Sequence, residues 1–127
     1  MTARHWATAG ALLAGLAVAL GAFGAHGLRN HLDAADLATF DTGARYQMYH
    51  AFALLAVAWL ADRAPSRPAE TAGWAFVIGI VVFSGSLYLL TLGGLRWMGA
   101  VTPLGGISFL IGWLNLALAA RHLPNHE

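Results

Sequence analysis

Tyr46, Tyr49 and His50 stand at i, i+3 and i+4, a spacing that puts two phenols and an imidazole on one helix face. Arg45 precedes them, and Gln47 points to a different face. An imidazole can move a proton or ligate a metal or haem. Arginines beside tyrosines can hold an anionic lipid head group, a quinone or a lipid phosphate. Apolar runs precede and follow this segment. If they pack as antiparallel hairpins, connectivity brings His26, Arg29, Tyr88 and Arg96 to the same side of the molecule. The candidate cluster is therefore His26, Arg29, Arg45, Tyr46, Gln47, Tyr49, His50, Tyr88 and Arg96, with Thr91 and Thr102 close by. Two uses compete for it. It is a ligand site, or it is structural glue in which Asp33, Asp36 and Asp41 pair with the arginines. His26 and His50 come from different segments and carry no metal-site spacing, so no metal is assigned.

The elements that must position these groups are long and apolar. Hydrophobic residues make up 58% of the 127 and charged residues 10%, where a soluble domain carries about 25% charged. Crossing a hydrocarbon core of ~30 Å takes about 20 helical residues. Four runs approach that length, and helices are expected over about 5–25, 43–61, 70–92 and 100–121. The expectation is an all-α, four-helix transmembrane bundle in one domain spanning 1–127. Between helices 1 and 2, the stretch 28–40 is too polar to span and reads as a short interfacial helix. Asp41 and Thr42 are suited to cap helix 2. The stretch 62–68 reads as a tight hairpin, because Pro65 and Pro68 disfavour continuing the helix.

A formal charge of +1 without a clustered basic face excludes nucleic acid as a partner. Without cysteine there is no disulfide, thiolate metal site or thiol nucleophile. No catalytic or phosphate-binding motif is present. The first run is longer than a signal-peptide core of about 7–15 residues and is read as a retained helix. Arg4, Arg63, Arg67 and Arg121 fall on one side and Arg29, Arg45 and Arg96 on the other. That bias favours both termini in the cytoplasm. Gly27-Leu28-Arg29 is echoed by Gly94-Leu95-Arg96, too short a match to mark a repeat. His5, His31, His122 and His126 are read as solvated, and Pro124 spoils the spacing of the last two.

Small residues let membrane helices approach closely. Gly21, Gly24 and Gly27 recur every three residues on helix 1, while Gly85, Gly105 and Gly106 serve helices 3 and 4. Gly79, Gly112, Ser84 and Ser86 add to the same faces. The bland use is packing within one bundle, and the sharper one is a face for self-association.

Gly21-Ala22-Phe23-Gly24-Ala25-His26-Gly27-Leu28, Phe40-Asp41-Thr42-Gly43 and Tyr46-Gln47-Met48-Tyr49-His50-Ala51 resemble the YgdD/YwdK-like family. So do Ser84-Gly85-Ser86-Leu87-Tyr88 and Thr102-Pro103-Leu104-Gly105-Gly106. That is a family of small bacterial inner-membrane proteins of unknown function, with relatives among small eukaryotic transmembrane proteins. The resemblance implies a four-helix, multi-pass protein of the bacterial cytoplasmic membrane. It implies no reaction, cofactor or substrate. The expected role is a non-enzymatic accessory, assembly or lipid-interacting factor. Its expected partners are the lipid bilayer and either a second copy of the chain or another membrane protein. The alternative is a protein holding a quinone, haem or anionic lipid at the polar cluster.

Overall fold

A computed structural model describes residues 1–125, and the His126 part of the C-terminal histidine pair lies outside them. Helix α1 covers Ala3–His26, opened by Thr2, whose hydroxyl and amide both engage His5 Nδ1. Helix α2 covers Ala34–Arg63, α3 Arg67–Gly79, α4 Gly85–Leu92 and α5 Thr102–Ala120. A π-helical turn, Ile80–Ser84, joins α3 to α4, so the two form one rod over Arg67–Leu92. A 3₁₀ turn, Arg96–Ala100, leads into α5. The result is the expected four-helix bundle.

The polar stretch 28–40 is helical from Ala34 onward, yet it is not a separate interfacial helix. It forms the first turns of α2, which is a continuous 30 residues, about 45 Å at 1.5 Å per residue. Asp33 caps it by accepting from the Asp36 amide at 2.8 Å. Asp41 and Thr42 do not cap anything. Thr42 returns its hydroxyl to the Ala38 carbonyl, and Asp41 pairs forward with Arg45. With these side chains satisfied inside the helix and no proline nearby, nothing interrupts it. At the other hairpin, Ser66 accepts from the Ala69 amide and Pro68 occupies the first turn, as its missing N–H allows.

Three segments are long and apolar enough to cross a membrane: Ala3–His26, Arg67–Leu92 and Arg96–Ala120. Helix α2 carries Asp36, Asp41, Arg45, Gln47 and His50 and lies between them. It packs α1 on one side and the α3–α4 rod on the other. Helix α5 packs closely on α3 and the π turn, while its backbone stands farther from α2 and meets it through side chains, which leaves a seam between α2 and α5. The core gathers Trp6, Leu54, Val57, Phe76, Ile80 and Phe109.

Aromatic rings seat on several of the glycines. The Phe76 ring lies on Gly112 and the Phe109 ring on Gly79, a reciprocal arrangement between α3 and α5, while Gly105 lets α5 approach the backbone of Phe83 itself. Trp6 lies on Gly73, Phe40 on Gly24 and Tyr88 on Gly43. Gly24 and Gly105 therefore pack as expected, whereas Gly27 meets only Phe23 of its own helix. Gly21, Gly85 and Gly106 seat no neighbouring side chain, since a Cβ there would meet nothing within 4 Å. Gly10 and Gly73 pack closely without having been anticipated. The repeated Gly-Leu-Arg is not a structural repeat: Gly27 is right-handed, and Gly94 has φ 66°, a left-handed turn that suits glycine.

Candidate functional site

The residues gathered by connectivity separate into three groups. The first is an interior network. Gln47 is buried, donates from Nε2 to the Leu13 carbonyl of α1 at 2.9 Å, and accepts from the Tyr88 hydroxyl at 2.7 Å. Three elements thus meet on one amide. Ser84, brought inward by the π turn, donates to the Gly43 carbonyl at 2.7 Å. Ser108 donates to the Ala75 carbonyl, and Ser86 shares a hydrogen bond with Thr102. Such bonds tie helices together where apolar surroundings offer no competing water.

The second group is a pair of salt bridges at the end of the bundle where α2 begins. Arg96 donates from both terminal nitrogens to Asp36, at 2.7 and 2.8 Å. This fork joins the start of α2 to the connection before α5, and it holds the Asp36 carboxyl below the usual carboxylate range. Arg45 pairs with Asp41 at 2.7 Å on the α2 surface, and both are more than half exposed. Arg45 is therefore not buried in the bundle. Arg29 is exposed and makes no ion pair among the described residues; it borders a cleft of about 330 Å³ between α1 and α2. His26 is exposed at the end of α1.

The third group lines the α2/α5 seam. Tyr46, Tyr49 and His50 share a face, as their spacing requires, and Gln47 faces away from them. Across the seam stand Pro103, Gly106, Phe109, Leu110 and Trp113 of α5, with Phe83 of the π turn between. Together they surround a groove of about 640 Å³. Tyr46 stacks on Phe83, with centroids 4.9 Å apart. His50 stacks on Phe109 at 3.5 Å and 7°. Its Nδ1 lies 2.6 Å from the Tyr46 carbonyl, and the Trp113 indole N–H donates to its Nε2 at 3.1 Å. A carbonyl only accepts and an indole N–H only donates, so the partners fix one neutral tautomer: proton on Nδ1, bare Nε2. Beyond Trp113 the seam continues as a second groove of about 360 Å³, past Ala56, Trp59, Leu60 and Leu116.

The histidine pair considered for haem or a metal does not form. Gln47 is level with Leu13, and His26 lies 13 residues farther along α1, about 20 Å at helical rise. Both nitrogens of His50 already have partners. Among the described residues no group of three His, Asp or Glu side chains could hold a metal ion. Phe83, Phe109 and Trp113 were not anticipated as site residues. Trp113 reads in sequence as an interfacial or packing aromatic, because nothing in the chain signals that it lies level with His50.

Residues 20–106 match the family described as Protein of unknown function (DUF423). The chain is 49% identical to the UPF0382 membrane protein YwdK of Bacillus subtilis (strain 168), over 87% of this chain and 91% of that protein. It is 40% identical to the UPF0382 inner membrane protein YgdD of Escherichia coli (strain K12), over 97% and 94%. A UPF0382 membrane protein of Haemophilus influenzae is 49% identical over 79% and 80%. No solved structure matches. The Gly-rich end of α1, the Phe40–Gly43 stretch and the Tyr46–Ala51 face all fall within the matched span, and the chain belongs to the DUF423 family of membrane proteins of unknown function.

Proposed function

We propose that this protein is a non-enzymatic, lipid-interacting membrane protein whose α2/α5 seam takes the apolar chain of a membrane amphiphile. The observation that carries this reading is the pair of grooves meeting at Trp113. On α5 they run from Pro103 to Ala120, 17 residues or about 26 Å at helical rise, close to the ~30 Å thickness of a hydrocarbon core. Their walls are almost wholly apolar, and the imidazole at the back has no free nitrogen for chemistry. A volume of this size is in the range of ordinary small-molecule sites.

The protein is read as multi-pass in the bacterial cytoplasmic membrane, with both termini cytoplasmic. Four arginines on the terminal side against three opposite support that orientation. Reporter fusions at the C-terminus test it: activity of a cytoplasm-dependent reporter is expected, and activity of an export-dependent reporter would reverse the topology.

Gly106 tests the groove. A Cβ there meets no atom within 4 Å, so Gly106→Leu is expected to be accommodated and to project into the groove. Native mass spectrometry after mild detergent extraction is expected to find lipid retained by the wild type and lost from Gly106→Leu, at unchanged melting temperature. Equal retention by both would remove the groove as the lipid's seat.

A further inference from the structure

The two ends of the seam differ chemically. The lower groove, past Ala56, Leu60 and Leu116, offers hydrocarbon together with the Trp59 and Trp113 rings. The upper groove is walled by flat rings: Tyr46 on Phe83, His50 on Phe109, and Trp113 edge-on to Phe76. No arginine, lysine, aspartate or glutamate lines it. The nearest cation on α2, Arg45, is engaged by Asp41. A phosphate head drawn into this chamber would lose water and gain no counter-charge, a large cost. The head group that fits is uncharged and flat. It also needs acceptor atoms, because the upper groove offers donors. Of the three tyrosines, only Tyr88 makes a hydroxyl hydrogen bond among the described residues. The phenols of Tyr46 and Tyr49 are left over, with rings 5.5 Å apart at the groove wall.

We propose that the upper groove binds the ring of a lipophilic quinone, a neutral planar head with two carbonyl oxygens and a long hydrocarbon tail. The ring lies against the Tyr46, Phe83 and Trp113 faces, where offset or edge contacts between π systems are favourable. A ring carbonyl accepts from a phenol of Tyr46 or Tyr49. The tail runs past Trp113 toward Leu60 and Leu116. His50 stays a wall, since both its nitrogens are already engaged. The proposal concerns binding and rests on the lipid-holding reading of the seam.

The test uses the full chain in phosphatidylcholine nanodiscs, titrated with decylubiquinone while tryptophan fluorescence is recorded. Trp113 is the reporter, and Trp113→Phe defines the signal that belongs to the groove. The expected result is saturable quenching that disappears in Trp113→Phe. It should weaken at least ten-fold in Tyr46→Phe/Tyr49→Phe, which removes only two exposed hydroxyls. Nanodiscs made with chain-brominated phosphatidylcholine separate the two readings. Quenching of Trp113 by brominated chains without saturable quinone quenching overturns the quinone and keeps the lipid groove. Quenching by neither closes the groove and removes both. Saturable quinone quenching unchanged in the double phenylalanine variant also overturns the proposal, because the phenols would then not select the head.

Discussion

At the scale of single residues, the polar groups of this bundle divide by what satisfies them. Gln47 joins three helices, reaching from α2 to one carbonyl of α1 and one phenol of α4. Gln47→Leu keeps the size but strands the Tyr88 hydroxyl. A loss of about 1–2 kcal/mol is expected, read as a lower melting temperature in detergent. An unchanged temperature would mean that Tyr88 finds another acceptor. Asp36 lies in the first turn of α2, outside the expected spanning stretch, and its pH dependence has a definite sign. The Arg96 guanidinium bonds to it and lowers its pKa in the folded protein. Its contribution is therefore present above the ordinary carboxylate pKa of about 3.9. It fades as pH falls through the lower folded value. The melting-temperature gap between wild type and Asp36→Asn should be constant from pH 7 to 5 and shrink below pH 4. A gap as large at pH 3 as at pH 7 would assign Asp36 a role other than its pairing with Arg96. The exposed Arg45–Asp41 pair is expected to add little, as i,i+4 surface pairs do.

At the scale of elements, helix association here rests on rings seated on glycines. The aromatics were visible in the sequence, but their partners were not, because a ring selects its glycine by depth across two helices. Gly24 and Gly21 make the sharpest contrast. A Cβ at Gly24 would come within 2.7 Å of the Phe40 ring, while one at Gly21 meets nothing. Gly24→Leu is expected to destabilise by about 1–3 kcal/mol, as overpacking does, and Gly21→Leu to be neutral. Equal melting temperatures for the two variants would argue against the α1/α2 packing described. The π turn has its own effect on the rod. By inserting one residue per turn over Ile80–Ser84, it directs Ser84 to Gly43 and Phe83 to the groove, as such turns often do near sites.

At the scale of the whole molecule, α2 is the shared helix. It is the most polar of the rods, yet both its long sides are covered, by α1 and by the α3–α4 rod. Polar side chains at membrane depth favour interior positions, and α2 supplies one by lying between apolar neighbours. Its third side faces α5 across the seam, bridged at depth by the Trp113–His50 bond and, where α2 begins, by the Arg96–Asp36 fork. A groove flanked by two such ties suits a bound chain better than a closing gate.

The sequence by itself determined the solvent, the four long rods and the face shared by Tyr46, Tyr49 and His50, because hydropathy and the 3.6-residue period are local properties. It also supplied the family, and it put Asp36 and Asp41 among the partners of the arginines. It did not determine that residues 34–40 would run on into α2. That depended on whether Asp41 and Thr42 capped a new helix or bonded within an old one, and both fates suit those side chains. It did not separate His26 from His50, because membrane side is read from connectivity whereas depth is set by how α1 and α2 register. The seam and its aromatic lining were decided only by tertiary structure. Which helices pack and which stand apart follows from the match of rings to glycines on different rods, and no stretch of one helix carries that information.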